Sequence, residues 1–115
     1  MRLTKLNKIE TFKGSRLFLP NSVDILGSGQ IIICDGGNDR ICLFDEDLKE
    51  VKTVGSKGWG DYNFKEPVGA FVSPIDLIYV MDWHNHRIVK YDKNLAFKGE
   101  FGHYSKKIDY DSLDF

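Results

Sequence analysis

The sequence contains no run of apolar residues that approaches the ~20 needed to span a membrane. Residues 1–10 also lack the apolar centre of a signal peptide, so we expect a cytoplasmic protein that does not enter a membrane. A basic excess is missing as well, because 16 Lys and Arg residues nearly balance 17 Asp and Glu residues, for a formal net charge of −1. This balance disfavours nucleic acid as a partner, although a local basic patch remains compatible with it.

Sequence signatures of catalysis are missing too. No serine stands in a Gly-x-Ser-x-Gly setting and no glycine-rich phosphate loop occurs, since Gly27-Ser28-Gly29 is typical of a turn between two strands. His84 and His86 share a face only if the backbone between them is extended, and no third metal ligand accompanies them. We therefore expect no catalytic residue, no metal and no cofactor.

Cysteine is scarce, with Cys34 and Cys42 as its two occurrences. Both stand at apolar positions of predicted strands, so we expect buried, reduced thiols that pack as small hydrophobic side chains. If Asp35 lies opposite Arg40, side-chain alternation places the two cysteines on opposite faces and excludes a disulfide. A register shifted by one residue would permit the bond.

What the sequence does contain is an internal repeat with a constant offset of 47 residues (67 − 20 = 47 for its first identical pair). Conservative pairs such as Phe44 and Tyr91 fill the positions between the identical ones. A fixed period of this size is typical of repeat architectures. The identical pairs include Pro20 and Pro67, Ile31 and Ile78, Leu48 and Leu95, and Gly55 and Gly102.

Each copy holds four short runs rich in β-branched and aromatic residues, and turn-forming residues separate most of them. No window keeps apolar residues at helical spacing long enough for a helix. We therefore predict an all-β fold in which each copy is a four-stranded antiparallel sheet, the unit of a β-propeller blade. The predicted strands are 22–26, 30–34, 40–45 and 49–54 in the first copy, and 68–72, 77–81, 87–91 and 96–101 in the second.

A specific skeleton of residues recurs in both copies. In the second copy it consists of Phe64-Lys65-Glu66-Pro67, Tyr79-Val80-Met81-Asp82, Asn85-His86-Arg87-Ile88 and Tyr91-Asp92. This skeleton closely resembles the NHL repeat. The first copy departs from it at Gly36-Gly37 and at Asp39, where the family has histidine. The resemblance implies a partial propeller: a strand of a further blade over 6–12, blades over 17–55 and 64–102, and a tail over 103–115.

Two blades and one strand cannot close a ring, because propellers have about four to eight blades. Each blade also leaves apolar faces open until a neighbour covers them. We expect the chain either to form a homo-oligomer, with a trimer preferred because three chains give six blades, or to belong to a larger propeller.

Charged and amide residues flank the turn between the second and third strands of each copy. We expect a structural role for them, as charge partners across the turn and as residues that suit its backbone. These repeat-motif residues are Asp35, Asn38, Arg40, Asp82, Asn85 and Arg87.

Antiparallel topology gathers these turns and the linker between blades at one end of the molecule. Aromatic and basic residues on those loops are typical of a recognition surface. The predicted binding residues are Trp59, Tyr62, Trp83, His84 and His86. We interpret the chain as a non-catalytic interaction module for a protein partner. NHL propellers also include RNA-binding modules and lyase-type enzymes, so single-stranded RNA binding and a metal-assisted lyase are the alternatives.

Overall fold

Ten β-strands occur in the computed structural model, which describes residues 11–12 and 15–102, and no α-helix accompanies them in that part of the chain. Two short 3₁₀ turns, Gly36–Asn38 and Trp83–Asn85, are the other regular elements of these described residues. No helix long and apolar enough for a membrane span occurs in these ranges. The strands are β1 (Thr11–Phe12), β2 (Ser15–Arg16), β3 (Ser22–Ile25), β4 (Ile31–Asp35), β5 (Arg40–Phe44), β6 (Glu50–Val54), β7 (Pro67–Val72), β8 (Ile78–Asp82), β9 (Arg87–Tyr91) and β10 (Phe97–Phe101).

Strands β3 to β6 form one antiparallel sheet in chain order, and strands β7 to β10 form another. We call them the first sheet and the second sheet; neither closes on itself. The predicted all-β class and the two four-stranded antiparallel sheets are confirmed. A small hairpin of β1 and β2 precedes them. Residues 6–10 of the predicted leading strand, and the predicted tail 103–115, lie outside the described residues.

The turns that join the third and fourth strands of each sheet have the same chemistry. Asp45 and Asp92 each accept hydrogen bonds from the backbone N–H groups two and four residues later, at 2.8–3.0 Å. Backbone donation from Ala96, and then from Asn94, lowers the pKa of Asp92. Side-chain oxygens that accept from the following backbone fix such turns locally. Asp45 and Asp92 therefore stabilise these turns from within.

The core lies between the two sheets. Phe64 of the linker between the sheets is fully buried there and meets the Tyr91 ring edge-on at 6.3 Å between ring centroids. Because apolar side chains from both sheets interdigitate, the two sheets stabilise each other. The principal buried residues are Ile32, Cys34, Ile41 and Leu43 of the first sheet, and Ala70, Ile78, Val80, Val89 and Tyr91 of the second.

The equivalent faces of the two sheets point in the same direction along the stack. Cys34 of the first sheet faces the second sheet, whereas Met81, its equivalent 47 residues later, faces away from the first and is 39% exposed. On the other side, the first sheet buries a smaller cluster, packed by Leu17 and Leu48, on its own outer face. That cluster consists of Ile31, Ile33, Cys42 and Phe44.

The register of β4 and β5 shows that Cys34 and Cys42 cannot form a disulfide with each other. Asp35 pairs with Arg40, Cys34 with Ile41 and Ile33 with Cys42, so the two cysteines lie on opposite faces. Both are free and fully buried, which confirms the predicted reduced thiols. Burial raises the pKa of Cys34 to about 12 and that of Cys42 to about 11. Neither thiol is therefore suited to act as a nucleophile near neutral pH.

Polar side chains of β3 reach across to the backbone of β7. Ser22 Oγ accepts the N–H of Ala70 at 2.9 Å, and Asp24 Oδ2 accepts the N–H of Val72 at 2.8 Å. Asn21 Nδ2 donates to the carbonyl of Pro67 at 2.7 Å. These bonds satisfy backbone groups along the free edge of β7. We call this set of bonds the β3–β7 ladder.

Candidate binding site at the loop end

One end of the molecule gathers both 3₁₀ turns and the linker from residue 55 to 66. Each turn follows a strand that ends in aspartate, and each is closed by a residue with φ of 53°, Asp39 in the first sheet and His86 in the second. The N–H of Glu66 donates to Asp39 Oδ1 at 2.7 Å, which ties the linker to the first turn. We call this region the loop end.

The aspartate before the first turn organises its surroundings. Asp35 Oδ1 accepts the backbone N–H of Phe18 at 2.7 Å. Its Oδ2 accepts from Asn38 Nδ2 at 2.9 Å and from Arg40 Nε at 2.6 Å. A buried carboxylate needs such donors, since burying it alone is costly.

The second turn repeats this pattern at the same offset. Asp82 Oδ1 accepts the N–H of Lys65 at 2.8 Å, and Asp82 Oδ2 accepts from Asn85 at 2.7 Å and from Arg87 Nε at 2.9 Å. Asn85 Nδ2 also donates to the carbonyl of Gly58 at 2.7 Å. The motif thus anchors the linker to the second sheet.

Arg87 extends this anchoring. Its terminal nitrogens donate to the carbonyls of Trp59, Gly60 and Asn63 at 2.7–2.9 Å and to Glu100 Oε2 at 2.7 Å. The side chain is 5% exposed. Because its donors are directed at the protein's own carbonyls and carboxylates, this guanidinium shapes the loop end rather than offering itself to a ligand.

Beside this framework lies an open cleft of about 300 Å³, lined by Lys57, Lys65, Glu66, His84 and His86. His84 Nε2 lies 2.8 Å from Glu66 Oε2, and both side chains remain more than half exposed. A contact this exposed adds little stability. The cleft is therefore a polar, mixed-charge surface with two lysines and two histidines.

The predicted aromatic residues divide into two groups. Trp59 and Trp83 are 72% and 61% exposed, and Lys65 Nζ lies 5.6 Å from the centroid of the Trp59 ring. Tyr62 behaves differently: its ring packs against Tyr91 at 5.7 Å, and its hydroxyl accepts the backbone N–H of Phe97 at 2.9 Å. Tyr62 thus serves to pack the linker against the second sheet, outside the cleft.

A second cleft of about 410 Å³ adjoins the first and lies between the first turn and the linker. It shares Lys57 and Glu66 with the first cleft, and Phe18 and Leu19 line it with side chains that are 56% and 67% exposed. Neither residue is among the binding residues predicted from the sequence. A comparison of the two copies could have indicated them, because these apolar residues stand where the second copy has the polar Lys65 and Glu66.

Within residues 11–12 and 15–102, no group of three or more His, Cys, Asp or Glu side chains is arranged to hold a metal ion. His84 is engaged with Glu66, and His86 occupies the left-handed position that closes the turn. The loop end therefore presents two exposed indole rings, a polar cleft and a more apolar cleft, with the chemistry of a binding surface.

Fold and site together define an all-β protein made of two repeated four-stranded antiparallel sheets. No family model matches the chain. Over 66 residues it is 32% identical to RING finger protein nhl-1 of Caenorhabditis elegans, a match that covers 57% of this chain. The chain spans about 7% of the length of that curated relative.

A solved structure has a similar fold. A protein of Bacteroides fragilis, described by its name as exported, superposes with a TM-score of 0.66 at 22% sequence identity. The superposition covers 78% of this chain and 26% of that one. At this level of identity the likeness extends to the fold alone.

Proposed function

We propose that the chain is a segment of an NHL-type β-propeller and acts as a non-catalytic module that binds a protein partner at its loop end. The exposure of Trp59 and Trp83 beside the polar cleft is the observation that carries this proposal. Large aromatic side chains offer contact area at low entropic cost and dominate many protein interfaces. The likeness to nhl-1 supports the repeat assignment.

The loop end combines buried residues that hold its backbone with exposed aromatic residues, which also favours binding there. The motif residues Asp82, Asn85 and Arg87 are buried and bonded to the linker, so they hold its backbone in place. Trp59 and Trp83 are displayed on this braced backbone. A surface whose backbone is already fixed loses less entropy when a partner binds.

In a propeller, each of the two sheets would be one blade. Closed propellers have about four to eight blades, so further sheets would have to come from a longer chain or from other copies of this one. Three copies would supply six blades. Successive sheets that stack in the same sense, as these two do, are the arrangement from which propellers are built.

Single-stranded RNA is the second candidate, and a specific contact favours it. Lys57 and Lys65 line the polar cleft, and Lys65 lies over the Trp59 ring. Lysines beside aromatic rings are the elements that hold phosphates and stack bases. The overall charge of −1 and the presence of Glu66 in the same cleft weigh against it.

The proposal is tested with a peptide selected from a random display library on the wild-type protein. We expect Trp59→Ala and Trp83→Ala each to weaken its binding by about tenfold or more, as loss of an interface anchor does. Ile75→Ala is the matched control, because Ile75 is 77% exposed in the β7–β8 turn at the opposite end. Equal affinity for wild type and both tryptophan variants would contradict the proposal.

A labelled single-stranded RNA of mixed sequence separates the two candidates. If RNA is the ligand, its affinity falls steeply as salt rises, because each phosphate contact releases counterions. The selected peptide would show a shallower dependence. RNA binding that is lost in Lys65→Ala, together with failure to select a peptide, would favour the second candidate.

A further inference from the structure

The two clefts at the loop end are built from the same positions of the repeat. Four residues that line the polar cleft stand 47 positions after four residues that line the second cleft. Each sheet therefore contributes one copy of the same cleft, and the two copies adjoin at Lys57 and Glu66. The equivalent pairs are Phe18 and Lys65, Leu19 and Glu66, Gly37 and His84, and Asp39 and His86.

The backbone of the two clefts is held in the same way. The N–H of Gly37 donates to the carbonyl of Phe18 at 2.8 Å. The N–H of His84, at the equivalent position, donates to the carbonyl of Lys65 at 3.2 Å. Because this frame is common to both clefts, their side chains determine what each of them can bind.

The side chains of the second cleft suit an apolar group. Phe18 and Leu19 are exposed there, and Pro67 and Val68 at the start of β7 line the same cleft. A Cβ at Gly37 would collide with the Phe18 ring, so glycine at this position lets the ring lie against the turn. A large apolar side chain of a ligand would remove these groups from water together with its own surface.

The side chains of the polar cleft suit a carboxylate. Lys57 and Lys65 supply two positive charges, and Lys65 Nζ lies beside the exposed ring of Trp59. Glu66 is the one acidic residue among those that line this cleft, and its Oε2 already contacts His84 Nε2 at 2.8 Å. Opposite charges across an interface guide a partner and fix its register.

The clefts also determine the order and the spacing of these two groups. Asp39 lines the second cleft, so an acidic group is repelled there and favoured beside Lys57 and Lys65. Equivalent points of two packed sheets lie about 10 Å apart. Residues three apart in a peptide with polyproline II geometry lie on the same side, at about 9 Å.

We infer that the loop end binds an extended segment of a partner protein that carries a large apolar residue and, about three positions away, an aspartate or glutamate. The apolar residue enters the second cleft beside Phe18 and Leu19, and the carboxylate meets Lys57 and Lys65 in the polar cleft. This inference rests on the proposed protein-binding role of the loop end and adds the chemistry of the partner.

Peptides selected from the random display library on the wild-type protein test the polar cleft. We expect them to share an apolar and an acidic residue about three positions apart. Lys65→Glu should weaken such a peptide by about tenfold or more, and lysine in place of its acidic residue should restore much of the affinity for this variant. Lys93→Glu, the same change of charge in the exposed β9–β10 turn at the opposite end, is the control and should bind like wild type. Lys57→Glu repeats the test if Lys65→Glu does not fold.

Leu19→Ala tests the second cleft. We expect it to weaken the selected peptide by about tenfold, as loss of an apolar anchor does. It should have no further effect on a peptide whose apolar residue is already alanine, because both truncations remove the same contact. Ile75→Ala again serves as the control at the opposite end.

The outcomes separate this inference from the proposed function. A peptide that needs Trp59 and Trp83 but binds Leu19→Ala or Lys65→Glu as well as wild type would overturn the inference and leave the protein-binding role intact. Selected peptides that share no acidic residue would do the same. Failure to select any peptide, or binding of RNA instead, would overturn both.

Discussion

The two copies of the repeat have nearly the same local geometry but different neighbours. Leu19 and Glu66 have φ of 51° and 50°. The N–H of the residue before each, Phe18 or Lys65, donates to the carboxylate of Asp35 or Asp82, at 2.7 and 2.8 Å. Yet Arg87 is anchored to the carbonyls of a linker that crosses the loop end. The comparison teaches that local sequence sets the shape of each repeat, while its place in the stack sets what each residue stabilises.

The same distinction holds for the sheet faces. The face that carries Cys34 in the first sheet is covered by the second sheet, and the equivalent face with Met81 is open to solvent. Equivalent positions can therefore be tested in pairs, with one copy as the control for the other.

The largest expected difference is between the two arginines. Arg87→Ala removes five hydrogen bonds and leaves the Asp82 carboxylate buried without its guanidinium, so we expect the free energy of unfolding to fall by about 3–5 kcal/mol. Arg40→Ala should cost about 2 kcal/mol, because its side chain is 14% exposed and water can reach the site. Urea denaturation measures both, and equal losses would contradict this contrast.

A smaller effect is expected in the β3–β7 ladder. Asp24→Ala leaves the N–H of Val72 without its acceptor, so we expect a loss of about 1–2 kcal/mol in the free energy of unfolding. Asp24→Asn is the control, because an amide oxygen can still accept this bond and should restore most of the stability. If alanine and asparagine cost the same, the hydrogen bond from Val72 to Asp24 adds no stability.

The smallest effect concerns the paired left-handed residues. Leu19→Gly should raise the free energy of unfolding by up to about 1 kcal/mol, since glycine adopts φ near 51° without the steric cost of a side chain. Glu66→Gly relieves the same strain but removes the contact with His84, so its gain should be smaller. Thermal unfolding, evaluated at the Tm, distinguishes the two variants, and a larger gain at residue 66 would reverse the comparison.

The sequence predicted the sheets well because the signals for them are local. Runs of β-branched and aromatic residues, separated by turn-forming residues, placed the eight strands of the two sheets within two residues of their observed bounds. The pairing of Asp35 with Arg40 was left open by the sequence and is settled by the structure. The repeat itself doubled this information, because each copy checks the other.

The site was less accessible to sequence analysis, since its contacts join residues far apart in the chain. Nothing local to Tyr62 indicates that its ring packs against Tyr91 or that its hydroxyl meets Phe97. The bonds from Arg87 to the linker span 24–28 residues and depend on the path of the linker. The binding role of Trp59 and Trp83 stays a prediction.

The β3–β7 ladder also determines how fast two backbone amides exchange their hydrogen with solvent. The backbone N–H groups of Ala70 and Val72 lie on β7, the edge strand of the second sheet, and donate to side chains of the first sheet. Their exchange with solvent deuterium therefore reports whether the two sheets are docked. If Ala70 and Val72 exchange only when the whole chain unfolds, the pair behaves as one cooperative foldon, and neither half persists without the other.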